Sequence, residues 1–575
     1  MIRIKNVIKK LTLVVVMSLS LLGCDSDHNT GHSKVSSRVS HEMAVHFYRP
    51  DWNYGELVYR NNPAETEYQR LAMTKNEEGW WSATVKADKL EFAFEGDSGV
   101  INLGATQGCY PGSHYICEKE ADPAENFRSS AEQVWVKNGL LFTANPANGN
   151  ATDTFTVLSL NLHTYQEFKT PGVKESELSD YQAQERVNQH GVLFDRVAAA
   201  INELNPDVVC LQEVGEWHGK QRNDLDTVQF GATDSNMVRQ ILSRLDNKQY
   251  DFVMDWSHFG WDVWMEGSAV LSRHPIVKKD SRYISDVNNG TRTFWKSRNI
   301  PMAQIDLGER LGKLDVFSIH AGWWDDNEEP FQGQFKRLVA WDKELKTQSV
   351  NTLFCGDFNQ VAATKEQQFI TNGTGYSEQY ALANPDGLLD PTIGGTIDGW
   401  SGDVGKRIDF LVMNDDSLFE VRQSQRIFTQ EAFGRVSDHT GVYAQFGLAE
   451  RQPEQTTGSA PYQLYLVGSH TGKQTYRGNR FEHLEGGRYR LVTLLGAAQE
   501  APAADYKAHR LYLTDRTGHA LILGSPQAGN RLELAKPALL VENSAEGFLF
   551  ESEQAGLFQF DLDYDAKTLT VTQLD

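Results

Sequence analysis

The stretch NTLFCGDFN, residues 351–359, places an acid and an amide at the end of an apolar run. Thr352 to Gly356 reads as a short buried strand, since it is mostly apolar and closed by glycine. Asp357 and Asn359 follow two residues apart, so on an extended backbone both side chains leave the same face. A carboxylate beside a carboxamide suits a hard cation, a phosphate oxygen and an attacking water. GDFN is also a good turn, so this pair alone decides nothing. Four further strand-like runs carry a polar group at or near one end. TFTVLSLNLH offers Asn161, DVVCLQEV offers Glu213, KLDVFSIHAGWW offers His320, and VSDHTGVYAQF offers Asp438 and His439. KRIDFLVMN carries Asp409 inside a sixth run. One polar strand end is usually structural. Five in one region, all of metal- or phosphate-handling type, describe a site.

These groups need elements to hold them. Between Asn161 and Glu213, residues 184–204 show helical spacing, with Leu193, Val197, Ile201 and Leu204 on one face, and Asn205-Pro206-Asp207 stops the helix. Strand, helix and strand in that order predict an α/β layer. SAVLSRHPI, residues 268–276, is a further strand and turn.

LSLNLH, LQEV, AVLSRHPI, SIHA, GDFN, RIDFLV and SDH, in that order over residues 152–448, resemble the endonuclease/exonuclease/phosphatase (DNase I-like) superfamily. The resemblance implies a four-layer αββα sandwich and phosphoester hydrolysis with a divalent cation, Mg2+ or Mn2+. It implies metal ligation by Glu213 with Asn161 and Asp438. Asp357 would orient or deprotonate the water, and Asn359, with Asn161, would hold phosphate. His439 would serve as general acid or base, Asp409 would complete the cluster, and His320 would stabilise developing charge. No GxSxG or CxxxxxR motif offers a covalent nucleophile instead. TFWKSRNI, AGWWDDNEEPFQGQFKRL and TIDGWSGDVGKRIDF are similar to segments of maltose 6′-phosphate phosphatases. On that likeness Lys296 and Arg298 are candidate phosphate contacts, and Trp323, Trp324, Asp325 and Asp326 form a substrate rim. Indole rings stack on sugar faces and carboxylates bind hydroxyls. The same two tryptophans could equally wedge the loop into the sheet.

Residues 1–24 read as a lipoprotein leader: Arg3, Lys5, Lys9 and Lys10, then an apolar stretch, then Leu21-Leu22-Gly23-Cys24, which resembles a lipobox with Cys24 as the lipidated residue. The expected location is the bacterial cell envelope, with the membrane leaflet left open by Asp25. Residues 25–40 are a polar tether. Export implies an oxidising space. Cys109 and Cys117 are expected to pair, whereas Cys210 and Cys355, inside apolar strands, are expected to be inert buried thiols.

Residues 41–148 and 462–575 read as two all-β sandwich modules flanking the α/β domain, the second after a linker at 449–461. The first resembles pullulanase-associated α-glucan-binding modules, and the second resembles β modules of starch-binding surface proteins. Trp52, Tyr54, Trp80 or Trp81 could stack on sugar if exposed, though each is better explained as core. The resulting expectation is a phosphatase acting on phosphorylated maltooligosaccharide or α-glucan, held near it by the flanking modules. The alternatives are an extracellular nuclease, a sphingomyelinase-type phospholipase using Trp256, Trp261 and Trp264 as an apolar rim, and an inactive glycan-binding lipoprotein. A net charge of −22 argues against a surface that grips nucleic acid through its phosphates.

Overall fold

A computed structural model describes residues 41–574, apart from 102–125, 385–391, 393–405, 450–463, 469–478, 496–507 and a number of shorter stretches. The leader and tether with Cys24, the Cys109–Cys117 pair and nearly all of the linker lie outside the described residues.

The α/β domain begins with strand β1 (Thr154–Asn161), helix α1 (Asp180–Leu204) and strand β2 (Val208–Trp217). Helix α1 starts at a capping box, in which the Ser179 hydroxyl and the Gln182 side chain satisfy each other's backbone N–H groups. It starts before the periodic apolar residues do, which is why periodicity alone placed its first turn late. Left-handed Asn205 and then Pro206 end it. Strands β3 (Asp251–Gly260), β4 (Trp264–Ser272), β5 (Ile276–Tyr283), β6 (Asn299–Asp306) and β7 (Lys313–His320) follow. Helix α2 is Met237–Leu242 and helix α3 is Phe331–Leu345. The domain closes with β8 (Thr352–Asp357), β9 (Tyr376–Glu378), β10 (Asp409–Asn414), β11 (Phe419–Ile427) and β12 (Gly441–Leu448).

These strands form two six-stranded sheets, ordered β3-β4-β2-β1-β12-β11 and β5-β6-β7-β8-β10-β9. Each contains one parallel pair, β1 with β2 and β7 with β8, among antiparallel neighbours. Apolar residues of the facing sheets, among them Phe155, Val157, Val208, Ala303, Val316, Leu353, Leu411 and Phe446, make the central core. Helices α1 and α2 cover the outer face of the first sheet, through Leu193, Val197, Ile201 and Ile241. Helix α3 covers the second, through Phe335, Leu338 and Trp341. The four-layer sandwich follows from that arithmetic of faces, since each sheet is apolar on both sides and must be covered twice.

One structural element overturns an expectation. Cys210 and Cys355 are joined in a disulfide between β2 and β8. Separated by 145 residues, they gave no local sign of pairing.

Residues before and after this domain form all-β units, each showing, among the described residues, two five-stranded sheets around its own apolar core. In the first unit Trp52, Trp80 and Trp81 are buried, so they belong to the core, and Tyr54 alone of the four named aromatics is half exposed. Strand alternation cannot say which of two faces is the inner one.

Candidate active site

The polar strand ends meet at one edge of both sheets. Asn161 closes β1, and its Nδ2 donates to Glu213 Oε1 at 2.9 Å and to Asp357 Oδ2 at 3.1 Å. Its Oδ1 accepts from the backbone N–H of His163 at 2.9 Å. The chain then turns through three left-handed residues in succession, His163, Thr164 and Tyr165, at φ 53°, 34° and 64°. Strain of this kind persists only where surrounding structure enforces it, and it gathers at functional sites.

Glu213 sits in a bulge of β2, where register against β4 slips between Leu211 and Val214, and its φ is 46°. The bulge re-aims its side chain from the sheet face toward the edge. Asp357 ends β8 directly after Gly356, whose φ is 140° and where a Cβ would collide with the Ile319 carbonyl oxygen. Only glycine permits that approach between β7 and β8. Asp357 pairs in register with His320 on one side and Asp409 on the other. Asp357 Oδ1 accepts the Asn359 N–H at 2.7 Å, and Asn359 Nδ2 donates to the Ala321 carbonyl at 3.0 Å.

His439 precedes β12. Its Nδ1 lies 2.9 Å from Asp409 Oδ2 and its Nε2 3.9 Å from Asp357 Oδ2. Burial opposes a charge on this ring, but Asp409, Asp438 and Asp357 push its pKa well above the ordinary imidazole value. His320 behaves oppositely. Burial, then Arg298, His258 and His439, hold it well below its ordinary value, so it is a neutral imidazole. His320 Nε2 is 3.6 Å from Glu213 Oε1 and 4.0 Å from Asp357 Oδ2.

Ligand atoms of Glu213, His320 and Asp357 lie within 4.8 Å of one another. Burial, with Glu266 adding to it, pushes Glu213 up to about 8. Burial, with Asp409 adding to it, pushes Asp357 up to about 7 against the pull of His439. Two carboxylates this close, Asp357 buried and Glu213 partly so, resist ionising together, and a cation between them would relieve this. Two oxygens and a neutral imidazole nitrogen fit Mg2+ or Mn2+.

Asp438 is placed elsewhere than expected. Its Oδ1 is 3.2 Å from His163 Nδ1, which also lies 2.9 Å from Glu167 Oε1. His163, Glu167 and Asp438 form a second buried group beside the first. Sequence reading missed His163 and Glu167, although their spacing of four residues in HTYQE was a usable signal. It also missed Glu266, whose Oε1 is 3.7 Å from His320 Nδ1 and 3.4 Å from His258 Nε2.

These groups open onto a cavity of about 1150 Å³, lined by Glu213, His320, Asp357, Asn359, His439 and Arg298 and rimmed by Trp261, Trp295, Trp323 and Trp324. Arg298 is 3% exposed and lies over the Trp323 ring; burial lowers its pKa, while Glu266, Glu213, Asp357 and Asp326 favour its charge. Its Nη1 reaches only the Ser297 and Trp295 carbonyls, at 3.3 and 3.5 Å. Lys296 does not face the cavity. Its Nζ is held by Asp326 Oδ2 at 2.6 Å and Glu328 Oε2 at 2.8 Å. This ion pair ties the Trp295 segment to the Trp323 loop, and the two indole centroids are 5.9 Å apart. Trp295, not singled out from sequence, is 53% exposed. Trp261 and Asp262 form the tip of the β3–β4 hairpin with φ 54° and 63°, a primed turn built without glycine. Trp256 and Trp264 are fully buried, so they form no apolar rim.

Acids, an Asp–His pair and a neutral imidazole gathered where two sheets meet are the kinds of group that cation-assisted hydrolysis uses. Residues 192–439 match the profile of the Endonuclease/Exonuclease/phosphatase family, which supports that superfamily, typically metal-dependent phosphoester hydrolases, for the central domain. The chain is similar to a family protein from Leptotrichia buccalis C-1013-b at 23% identity, covering 50% of this chain and 98% of that one with a TM-score of 0.38. It is similar to an endonuclease/exonuclease/phosphatase from Beutenbergia cavernae DSM 12333 at 16% identity, covering 73% and 100% with a TM-score of 0.38. It is also similar to the human Nocturnin catalytic domain with bound sulfate anion, at 16% identity, covering 52% and 94% with a TM-score of 0.34. No curated protein matches the chain.

Proposed function

We propose that this protein is a phosphomonoesterase that removes phosphate from a phosphorylated maltooligosaccharide or α-glucan. The observation that carries the reading is Arg298. It is a buried guanidinium in the wall of a cavity that also holds Asp357 and His439; burial works against its charge, while Glu266, Glu213, Asp357 and Asp326 favour it. A guanidinium fork matches phosphate oxygens, so an anion entering the cavity would meet it.

Glu213, Asp357 and His320 would hold the divalent cation, which would supply Lewis-acid charge at the phosphoryl group. Asp357 faces the cavity to orient a water and take its proton. Asp409 fixes the His439 ring and favours its charged form, so that Nε2 presents a proton toward the leaving oxygen. Asn359, tied to Ala321 and Asp357, holds the loop that shapes the phosphate end of the cavity.

The substrate reading rests on the rim. Three separate segments bring Trp261, Trp295 and Trp323 to one cavity, with Asp262, Asp325 and Asp326 beside them. Indole faces with neighbouring carboxylates favour a neutral, hydroxylated ring, and a polyanionic strand would meet these acids together with a net charge of −22. Export with a lipid anchor at Cys24, and glucan binding by the flanking β units, belong to the same proposal. The test is phosphate release with Mg2+ from maltose 6′-phosphate and phosphorylated starch, alongside plasmid DNA and sphingomyelin. Rapid DNA nicking without sugar-phosphate turnover would overturn it. Glycan pulldown and palmitate labelling of the full chain test the accompanying claims.

A further inference from the structure

The two strands that carry Glu213 and Asp357 belong to different sheets, and a graded set of bonds joins those sheets. At the edge, the Asn161 amide bridges both carboxylates. One step deeper, Gln212 Nε2 donates to Ser318 Oγ at 2.9 Å, and Ser318 Oγ donates to the Leu211 carbonyl at 2.9 Å. Deeper again stands the Cys210–Cys355 disulfide, its Cα atoms 6.4 Å apart. Both cysteines are fully buried. They precede Glu213 by three residues and Asp357 by two. Of the three connections only this one is covalent.

Glu213 and Asp357 come from different sheets, so the distance between their ligand oxygens follows the distance between β2 and β8. The hydrogen bonds through Asn161 and Gln212 can lengthen or break, whereas a disulfide cannot without chemistry.

We propose that Cys210 and Cys355 are positioning residues for the cation site: their bond fixes the separation of β2 and β8, and cation affinity depends on it. The proposal rests on reading Glu213, His320 and Asp357 as that site. The bond forms when both thiols give up their protons and two electrons pass to an external disulfide, which is reduced to two thiols. Because both sulfurs end up in the core, the exchange belongs to folding, before the sheets close over them.

The test compares wild type with Cys210→Ala/Cys355→Val and Cys210→Ser/Cys355→Ser double variants of the full chain. Mn2+ and Mg2+ binding is followed by calorimetry, thermal unfolding is followed in EDTA, and cation dependence of turnover is measured. The expected result is cation affinity weaker by about tenfold or more, as for other residues that orient ligands, with kcat recovered at saturating cation. A lowered Tm with unchanged cation affinity would overturn the positioning role and leave a purely structural link. Wild type refolded from denaturant with dithiothreitol, against oxidised glutathione, gives the same comparison without substitution. Failure of both the variants and the dithiol form to fold would make the bond a folding requirement and overturn the proposal as well. If wild type binds no divalent cation, the reading of the site itself falls, which is a separate outcome.

Discussion

Asp409 and His439 form a fixed pair: Oδ2 and Nδ1 are 2.9 Å apart, which turns the ring's other nitrogen to within 3.9 Å of Asp357. In that geometry the carboxylate decides both ring orientation and charge. Asp409→Asn keeps the shape and removes the charge. It is expected to lower kcat by about 100-fold or more, within the range general acid–base groups supply, with KM nearly unchanged. Steady-state kinetics on the best substrate of the panel, with circular dichroism to verify folding, checks this. Retention of full kcat would remove His439 from the chemistry.

Arg298→Lys keeps a cation but loses the planar fork. It is expected to lower kcat/KM by about 10- to 100-fold, and Arg298→Met by more. Inorganic phosphate or sulfate as a competitive inhibitor gives a second readout, since its inhibition constant is expected to rise in parallel. An unchanged constant would mean that the guanidinium does not meet the anion.

Trp295 is half exposed, with its ring beside Trp323 and under the Lys296 ammonium. Trp295→Ala is therefore expected to leave stability within about 0.5 kcal/mol. Its effect falls on the leaving group. KM for a disaccharide phosphate is expected to rise about tenfold, as loss of roughly 1.4 kcal/mol of contact requires, while a small alkyl phosphate is hydrolysed as before. Equal loss for both substrates would contradict a sugar subsite.

Asp315, buried on β7, accepts a hydrogen bond from Gln304 Nε2 at 2.9 Å, and burial pushes its pKa up to about 6. A carboxyl raised in the fold ionises first in the unfolded chain. Stability is therefore lost as pH rises from about 4 to about 6, and the penalty persists above that. A shift of about two units corresponds to about 3 kcal/mol. Asp315→Asn is expected to melt above wild type at pH 8, with the gap closing toward pH 4. Thermal unfolding across that range decides it.

Much of the site was legible because its residues end strands or, as Glu213 does, interrupt one at a bulge. An apolar run that stops at Asn161, Glu213, His320 or Asp357 is a local pattern, and local patterns survive without coordinates. Glu266 was not legible. It lies within β4, a fully buried strand, and only packing brings it against His320 and His258. The Cys210–Cys355 bond was hidden by chain distance. Lys296 misled because its sequence neighbours suggest an anion site, while Asp326 and Glu328 fold back to meet it. The tryptophans of the first β unit are core, the reading favoured from sequence, and only Tyr54 of the four named aromatics is half exposed.

The site straddles the seam between the two sheets, with Asn161 and Glu213 on one bank and His320, Asp357 and Asp409 on the other. Neither sheet owns a complete set. Catalysis therefore works as a gauge of alignment between the halves of the sandwich. Gentle heat or denaturant that loosens the seam would silence the enzyme while helices α1 and α3, each packed on its own sheet, still hold their shape.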